Sequence, residues 1–458
     1  MLSTNPVQDL TDIFAAGLTR VDPYQMIKDR VRLEGDTLVA DMEDGRDVTP
    51  LAPYKRILLL GFGKASAPMA RAFEELLGAR LAKGLVVVKY GHTDALSRVE
   101  QIESGHPVPD ENGVAGARRL AELASDADAQ TLVITCVSGG GSALTPSPLT
   151  ANTPEGPITL SLADKQATTK ALLACGADIT EINCMRKHLS GLKGGRLLKL
   201  LAPARSLNFI LSDVVGDNLQ TIASGTTVAD TTTYADTLAI IEKYGIRDKL
   251  PKNVLRVLEL GSQGLIPETV KPGDPDLDLS SNILIGTNRT ALLAAADKAR
   301  SLGYHVVSLT STLTGEAREA AKFQAAIAFD TRAFNLLVAK PACVLLGGET
   351  TVTLTGHGKG GRNQEMALAF LAEMAKDPLQ GQHVHYFAAS TDGTDGPTDA
   401  AGAFATPELL TQARAHDLSI AHALKENDSY HFFEALGGLH KTGPTMTNVC
   451  DLQIILVR

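Results

Sequence analysis

Two hydrophobic periods alternate along the chain. Short, continuous apolar runs, Arg56–Leu60, Gly84–Lys89, Thr131–Val137 and Ser206–Leu211, each stop at a cluster of Gly, Ser, Asp or His. Such uninterrupted runs read as strands buried on both faces. Between them lie stretches with helical spacing: Ala65–Leu77, Asn112–Ser125, Leu162–Cys175, Ile179–Leu189 and Thr232–Tyr244. The alternation predicts a mostly parallel sheet with helices on its faces. Thr11–Arg32 reads as an amphipathic helix or helix pair, and Asp36–Asp47 as a polar hairpin or loop.

Gly261–Leu279, rich in Gly, Pro and Asp, is the expected linker. A second βα series follows it. Strands are predicted at Asn282–Ile285, Tyr304–Leu309, Ala342–Leu346, His385–Ala389 and Asp451–Val457. Helices are predicted at Arg289–Leu302, Gly315–Ala328, from Arg362, near Ala405–His416 and at Ser429–Leu436. Thr350–Thr355 is a short β-branched run before a glycine turn. At 458 residues the chain exceeds one ordinary core. The expectation is an α/β protein of two domains, each a mostly parallel sheet flanked by helices. An N-terminal Rossmann-like domain would span residues 1–275, and a C-terminal α/β domain residues 276–458.

Composition narrows the classes of function. Hydrophobic content of 44% and charged content of 21% are those of a globular chain. A net charge of −9 argues against nucleic acid or an anionic membrane as main partner. The absence of Trp weakens any base-stacking platform. Five dispersed cysteines without CxxC, together with a start lacking a basic then apolar leader, suggest a reducing, cytoplasmic setting. No run is long enough to span a bilayer.

The chemistry collects where strands end, the usual ligand edge of a parallel sheet. Gly61-Phe62-Gly63-Lys64 lacks both the P-loop spacing and the third glycine of a dinucleotide fingerprint. It is either a plain strand–helix connection or an anion site, and Lys64 at a helix start favours the second. Ser138-Gly139-Gly140-Gly141-Ser142 is a candidate nest of N–H donors for a phosphate, the alternative being a flexible loop. Asp213 and Asp217 could take a hydroxyl proton, hold a metal or cap a turn. Asp392 and Asp395, in DGTDG, suit Mg²⁺ or two consecutive turns. His92, His106 and His357 sit in glycine turns without metal spacing. Gly347–Phe370 combines glycines, Lys359 and Arg362 with a helix start, which suits a phosphate or carboxylate. Gly63, Lys359 and Asn288 join the Ser138–Ser142 turn as substrate- or phosphate-binding candidates. Cations, anion cradles and loop carboxylates together fit phosphoryl transfer, which is mostly positioning and charge neutralisation.

Eight long motifs stand in one order: LGFGKAS (Leu60–Ser66), ESGHPVPDENG (Glu103–Gly113), VSGGGSAL (Val137–Leu144), MRKHLSGLKGGRL (Met185–Leu197), LSDVVGDNLQTIASGTTVAD (Leu211–Asp230), GGETTVTLTGHGKGGRNQE (Gly347–Glu365), STDGTDGPTDAAGA (Ser390–Ala403) and KTGPTMTNVCDLQIIL (Lys441–Leu456). In these the chain resembles the class II glycerate 2-kinases, whose C-terminal part, here about residues 340–458, is the MOFRL domain. The resemblance implies ATP- and Mg²⁺-dependent phosphorylation of D-glycerate to 2-phosphoglycerate, in a cleft between two α/β domains, by a monomer or homodimer. It implies Lys64 and Arg362 as the groups that hold and polarise the phosphoryl group and the substrate carboxylate. Asp213 would stand by the acceptor hydroxyl, and Ser138–Ser142 would cradle an anion. Similar proteins have also been labelled hydroxypyruvate reductases. NAD(P)H-dependent hydride transfer would then be the activity, yet no GxGxxG with a following acidic residue is present. A third reading is a non-catalytic binder of small anions.

Overall fold

The computed structural model describes residues 4–458. They form two compact units, one of Pro23–Ile285 and one that joins the residues up to Asp22 to Gly286–Arg458. The architecture is α/β, as the pattern predicts, with helices packed on both sheets.

The Pro23–Ile285 unit is built on a six-stranded sheet. Its order is Ser280–Gly286, Arg205–Leu211, Thr131–Val137, Arg56–Phe62, Leu81–Lys89, Val99–Ser104. From Arg205–Leu211 to Val99–Ser104 every pairing is parallel. Residues Thr131–Val137 are buried without exception, which is why the run is continuous rather than alternating. The polar stretch Thr37–Pro50 forms a hairpin that pairs with Val31–Glu34 in a small antiparallel sheet.

The expected linker Gly261–Leu279 is instead part of this unit. The amide of Val270 donates to Gly194 O at 3.0 Å, and that of Asp230 donates to Val270 O at 2.7 Å. Ile266, Thr269 and Val270 are buried, with the Val270 side chain seated over the bare Cα of Gly195. Gly and Pro here permit close packing rather than freedom. The units divide at Gly286, beyond the boundary expected at residue 275.

The other unit has a six-stranded sheet ordered His305–Leu313, Ala342–Gly348, Asp451–Val457, Val384–Ser390, Gly402–Ala405, Leu439–His440. His305–Leu313 and Ala342–Gly348 are parallel. The last strand inserts antiparallel between Ala342–Gly348 and Val384–Ser390, which therefore point the same way. Four of the six strands run in one direction; His305–Leu313 and Ala342–Gly348 pair directly, and antiparallel strands separate Ala342–Gly348, Val384–Ser390 and Leu439–His440. The β-branched run Thr350–Thr355 is not a strand. It is an extended loop that makes one isolated bridge, Thr351 with Glu316.

Helix Pro6–Arg20 belongs to this unit, outside the expected 276–458 boundaries. Asn5 caps it, and Leu10, Ile13, Phe14 and Gly17 form its buried stripe. Phe14 meets Phe387 edge-on at 5.3 Å. Asp9, 1% exposed, accepts from Tyr304 Oη at 2.7 Å and Arg458 Nη2 at 2.6 Å. Those partners come from the far end of the chain, so local pattern could not assign the helix. Among the described residues no helix is long and apolar enough to cross a membrane.

Candidate active site

In the Pro23–Ile285 unit three adjacent parallel strands deliver their C-terminal ends to one edge. Phe62 stands beside Val137 in register, and Ile210 stands beside Val137 on the other side. The chain then continues as Gly63-Lys64, Ser138-Gly139-Gly140-Gly141-Ser142 and Ser212-Asp213. Parallel register alone thus brings the expected cation, nest and carboxylate together.

The turns are laced to each other. The amide of Lys64 donates to Gly139 O at 2.9 Å, Ala65 N to Ser138 Oγ at 3.0 Å, and Ser138 N to Phe62 O at 3.1 Å. Gly63 holds φ +126°, and a Cβ there would overlap Ser138. Gly140 is left-handed at φ +79°, where a Cβ would lie 2.9 Å from the His106 ring and 3.4 Å from Lys64 Cε. A Cβ on Gly139 would overlap the carboxylate of Asp213. The three glycines are therefore required by close approach of neighbours. Among the described residues the amides of Gly139 and Gly140 donate to no acceptor, and Lys64 makes no ion pair. Gly141 N is used, donating to Ser138 O at 3.3 Å, and Ser142 Oγ meets Ser224 Oγ at 2.9 Å. Gly139 and Gly140 are thus the donors left for an anion.

Two histidines complete this edge. His92 Nδ1 lies 3.1 Å from Lys64 O; a carbonyl only accepts, so Nδ1 carries the proton. Burial pushes His106 down to about 4, with the positive charges of Lys64 and Lys89 adding to it. It is a neutral ring at pH 7, leaving Lys64 as the cation beside Gly140.

Gly347–Phe370 is different from its expected form. Helix Arg362–Lys376 does begin at Arg362. Its first free N–H groups already hold an anion, the protein's own Asp395. Asp395 Oδ1 accepts from Asn363 N at 3.1 Å and Asn363 Nδ2 at 3.2 Å. Its Oδ2 accepts from Gln364 N at 2.9 Å and Gln364 Nε2 at 3.0 Å. Asp395 is 1% exposed, and burial raises it to about 6 against those hydrogen bonds. The expected Mg²⁺ ligand is thus a helix-start carboxylate. Asp392 accepts from Ser390 Oγ, Thr394 N and Thr394 Oγ1, an Asx-type turn. Among the described residues no group of three His, Cys, Asp or Glu side chains is placed to hold a metal.

The glycines of this loop also face protein. A Cβ at Gly356 or Gly358 would strike Glu426 or Asp428, and one at Gly361 would strike Asp395. Lys359 Nζ lies 4.1 Å from the Tyr430 ring centre, and its amide donates to Asp428 Oδ1 at 2.9 Å. Asn288 is buried, its Nδ2 donating to Val449 O at 2.8 Å and Asp451 O at 2.9 Å, so it pins the last strand. Its Oδ1 rests on Gly347 without a hydrogen-bond partner.

Arg362 is held by residues that sequence reading left without a role. Its Nε and Nη2 donate to the Asp451 carboxylate at 2.6 and 2.8 Å, and Nη1 stands 3.0 Å from Glu349 Oε1. Asp451 is fully buried at the first position of the last strand, beside Gly348 on one side and Ser390 on the other. Burial pulls the guanidinium down, but the Asp451 carboxylate outweighs it and the net shift is upward. Glu349 is raised, chiefly by burial. The signal for Asp451 was faint: one acid opening a largely apolar terminal run that also holds Gln453.

Comparison with known proteins bears on both units. Residues 9–259 match the model of a domain of unknown function, DUF4147, and residues 342–451 match the MOFRL family. A glycerate 2-kinase of Pyrococcus horikoshii is 38% identical over 437 residues, 95% of this chain and 94% of its own. A D-glycerate 2-kinase of Thermotoga maritima is 39% identical over 442 residues, 95% of this chain and 99% of its own. A putative hydroxypyruvate reductase of Agrobacterium vitis is 41% identical over 410 residues, 89% of each chain. Among solved structures, a glycerate kinase of Thermotoga maritima superposes with a TM-score of 0.85 at 36% identity, over 98% of this chain and 99% of that one.

Proposed function

Because this chain belongs to the glycerate 2-kinase family with a C-terminal MOFRL region, we propose that it transfers the terminal phosphoryl group of ATP to the 2-hydroxyl of D-glycerate. One observation carries the assignment of the chemistry to residues. Lys64, the uncommitted amides of Gly139 and Gly140, and Asp213 meet at one edge of a parallel sheet.

The amides receive phosphate oxygens, and the Lys64 ammonium neutralises the charge that spreads over them. Asp213 orients the acceptor hydroxyl and takes its proton as the new P–O bond forms and the bond to ADP breaks. His106, neutral, adds no competing charge at this edge. Magnesium, when bound, supplies further neutralisation on the phosphates, and it needs only one or two protein carboxylates. The buried Asp395, with both oxygens already taken by helix-start donors, does not fit that demand. Arg362 is assigned to a substrate anion through Nη1, the bond it now shares with half-exposed Glu349; the Asp451 side of the guanidinium stays a fixed anchor.

The test is a coupled assay. Purified protein with ATP, Mg²⁺ and D-glycerate should release ADP, and enolase alone should convert the product to phosphoenolpyruvate. Product seen only after adding phosphoglycerate mutase would place the phosphate on the 3-hydroxyl. Oxidation of NADH with hydroxypyruvate, without ATP turnover, would replace the kinase with the reductase.

A further inference from the structure

The basic, glycine-rich run Met185–Leu197 plays no part in the chemistry above, yet its cations are taken inside the Pro23–Ile285 unit. Lys193 is 3% exposed, and Lys165, on the preceding helix Leu162–Ala174, is 9% exposed. Each spends one donor on a main-chain carbonyl: Lys193 Nζ on Ser142 O at 2.7 Å, Lys165 Nζ on Leu189 O at 2.9 Å. An ammonium has three N–H donors, so two remain on each. The two lysines belong to one neighbourhood, each close enough to Arg186 to feel its charge. Leu149 N donates to Leu189 O at 3.2 Å and Gly191 N to Ser147 O at 2.9 Å, so Leu189–Gly191 runs beside the segment that follows the glycine turn. Arg186, half-buried on helix Ile179–His188, is the third cation.

Among the described residues no carboxylate stands within ion-pair distance of Lys165, Arg186 or Lys193. The nearby acids are committed elsewhere. Asp230 pairs with Lys187 at 3.1 Å and accepts from Thr232 and Thr269. Glu268 faces His188 at 3.1 Å, Lys271 at 3.2 Å and the amide of Tyr234 at 2.8 Å. Burial pulls Lys193 far down, with Lys165 and Arg186 adding to it; burial, then Arg186 and Arg196, bring Lys165 to about 7. Burial thus disfavours the charged form of both lysines until an anion meets them, and such a cost is rarely kept without use.

We infer that Lys165, Arg186 and Lys193 line a binding site for a doubly charged phosphate group, set against the Ser142 end of the glycine turn. Three cations with several spare donors match the many acceptors and double charge of a phosphate; a single carboxylate would leave excess charge. The phosphate can belong to a nucleotide or to a phosphorylated hydroxy acid, and the experiment separates them. Isothermal titration of the whole protein, with inorganic phosphate, ADP and 2-phosphoglycerate in turn, is compared among wild type, Lys193→Met and Arg186→Met. Inorganic phosphate should bind the wild type, and tenfold or more weaker in both variants. Whichever of ADP and 2-phosphoglycerate weakens by a similar factor identifies the source. Melting temperatures without phosphate should be unchanged or higher in the variants, since an unbalanced cation is removed; Arg186→Met, at a half-buried position, decides the matter if Lys193→Met does not fold. No phosphate binding by the wild type, or equal binding by wild type and a folded variant, overturns the site. The titration reads binding rather than turnover, so it and the kinase assay succeed or fail independently.

Discussion

Arg362→Met separates anchoring from catalysis. The guanidinium gives Asp451 two hydrogen bonds, at 2.6 and 2.8 Å, and Asp451 is fully buried. Methionine keeps the apolar stem but leaves that carboxylate charged in the interior. An exposed ion pair would lose at most about 1 kcal/mol. Breaking a buried one costs about 3–5 kcal/mol, a factor of roughly a hundred or more in the folding equilibrium. Burial already raises Asp451 against the pull of Arg362. Without Arg362 its folded-state value rises further above the unfolded one. The folded variant then binds a proton the unfolded chain does not, and its deficit is full at neutral pH and shrinks as the pH falls into the carboxylate range. Urea unfolding followed by far-UV circular dichroism, at neutral and acidic pH, measures both effects. In Arg362→Met with Asp451→Asn the unpaired charge is gone, and at least half of the lost stability should return. Turnover should not return: kcat stays about a hundredfold or more down if Arg362 contacts substrate. A loss below about 1 kcal/mol in the single variant would refute the buried-pair argument. Recovery of kcat in the double variant would make Arg362 an anchor only.

Lys64→Met should lower kcat by about a hundredfold or more, the scale of one electrostatic stabiliser. Its melting temperature should be unchanged, because among the described residues Lys64 has no ion pair to lose; near-wild-type turnover would remove it from the mechanism. Gly139→Ala, whose Cβ would overlap Asp213, should displace that carboxylate and lower kcat while KM for ATP changes less; equal kcat would show that Asp213 has room to move. Asp395→Ala leaves the buried amides of Asn363 and Gln364 without their acceptor, each worth about 1–3 kcal/mol, while Gln364 Nε2 keeps Thr398 Oγ1 at 3.0 Å. Since Asp395 is raised to about 6, its contribution is complete below the unfolded carboxylate value and declines as the pH rises to about 6, by about 3 kcal/mol in all. The variant should be less stable by roughly 2–5 kcal/mol near pH 4–5, with the gap narrowing toward pH 7 in urea titrations; a gap that widens with pH would sink the assignment.

Local pattern alone determined the strand–turn–helix series, and with it the sheet edge that gathers Lys64, the glycine turn and Asp213. Continuous apolar runs must be buried on both faces, buried strands joined by helices must be parallel, and parallel strands deliver their C-terminal turns to one edge. Lys64, Ser138–Gly141 and Asp213 meet for that reason. Only the tertiary structure decided the partners in Gly347–Phe370. A helix start with glycines and cations wants an anion, but nothing local says whose. Asp395, thirty-two residues from Asn363, supplies it, and Asp451, eighty-nine residues from Arg362, takes the guanidinium. Both depend on strand order. Because the last strand inserts between Ala342–Gly348 and Val384–Ser390, its first residue lies beside Gly348 and Ser390. Long-range contacts likewise tie helix Pro6–Arg20 to the unit of Gly286–Arg458, where Asp9 meets Tyr304 and Arg458. Period and composition are short-range quantities; the partner of a buried charge is set by whatever the sheet brings across from it.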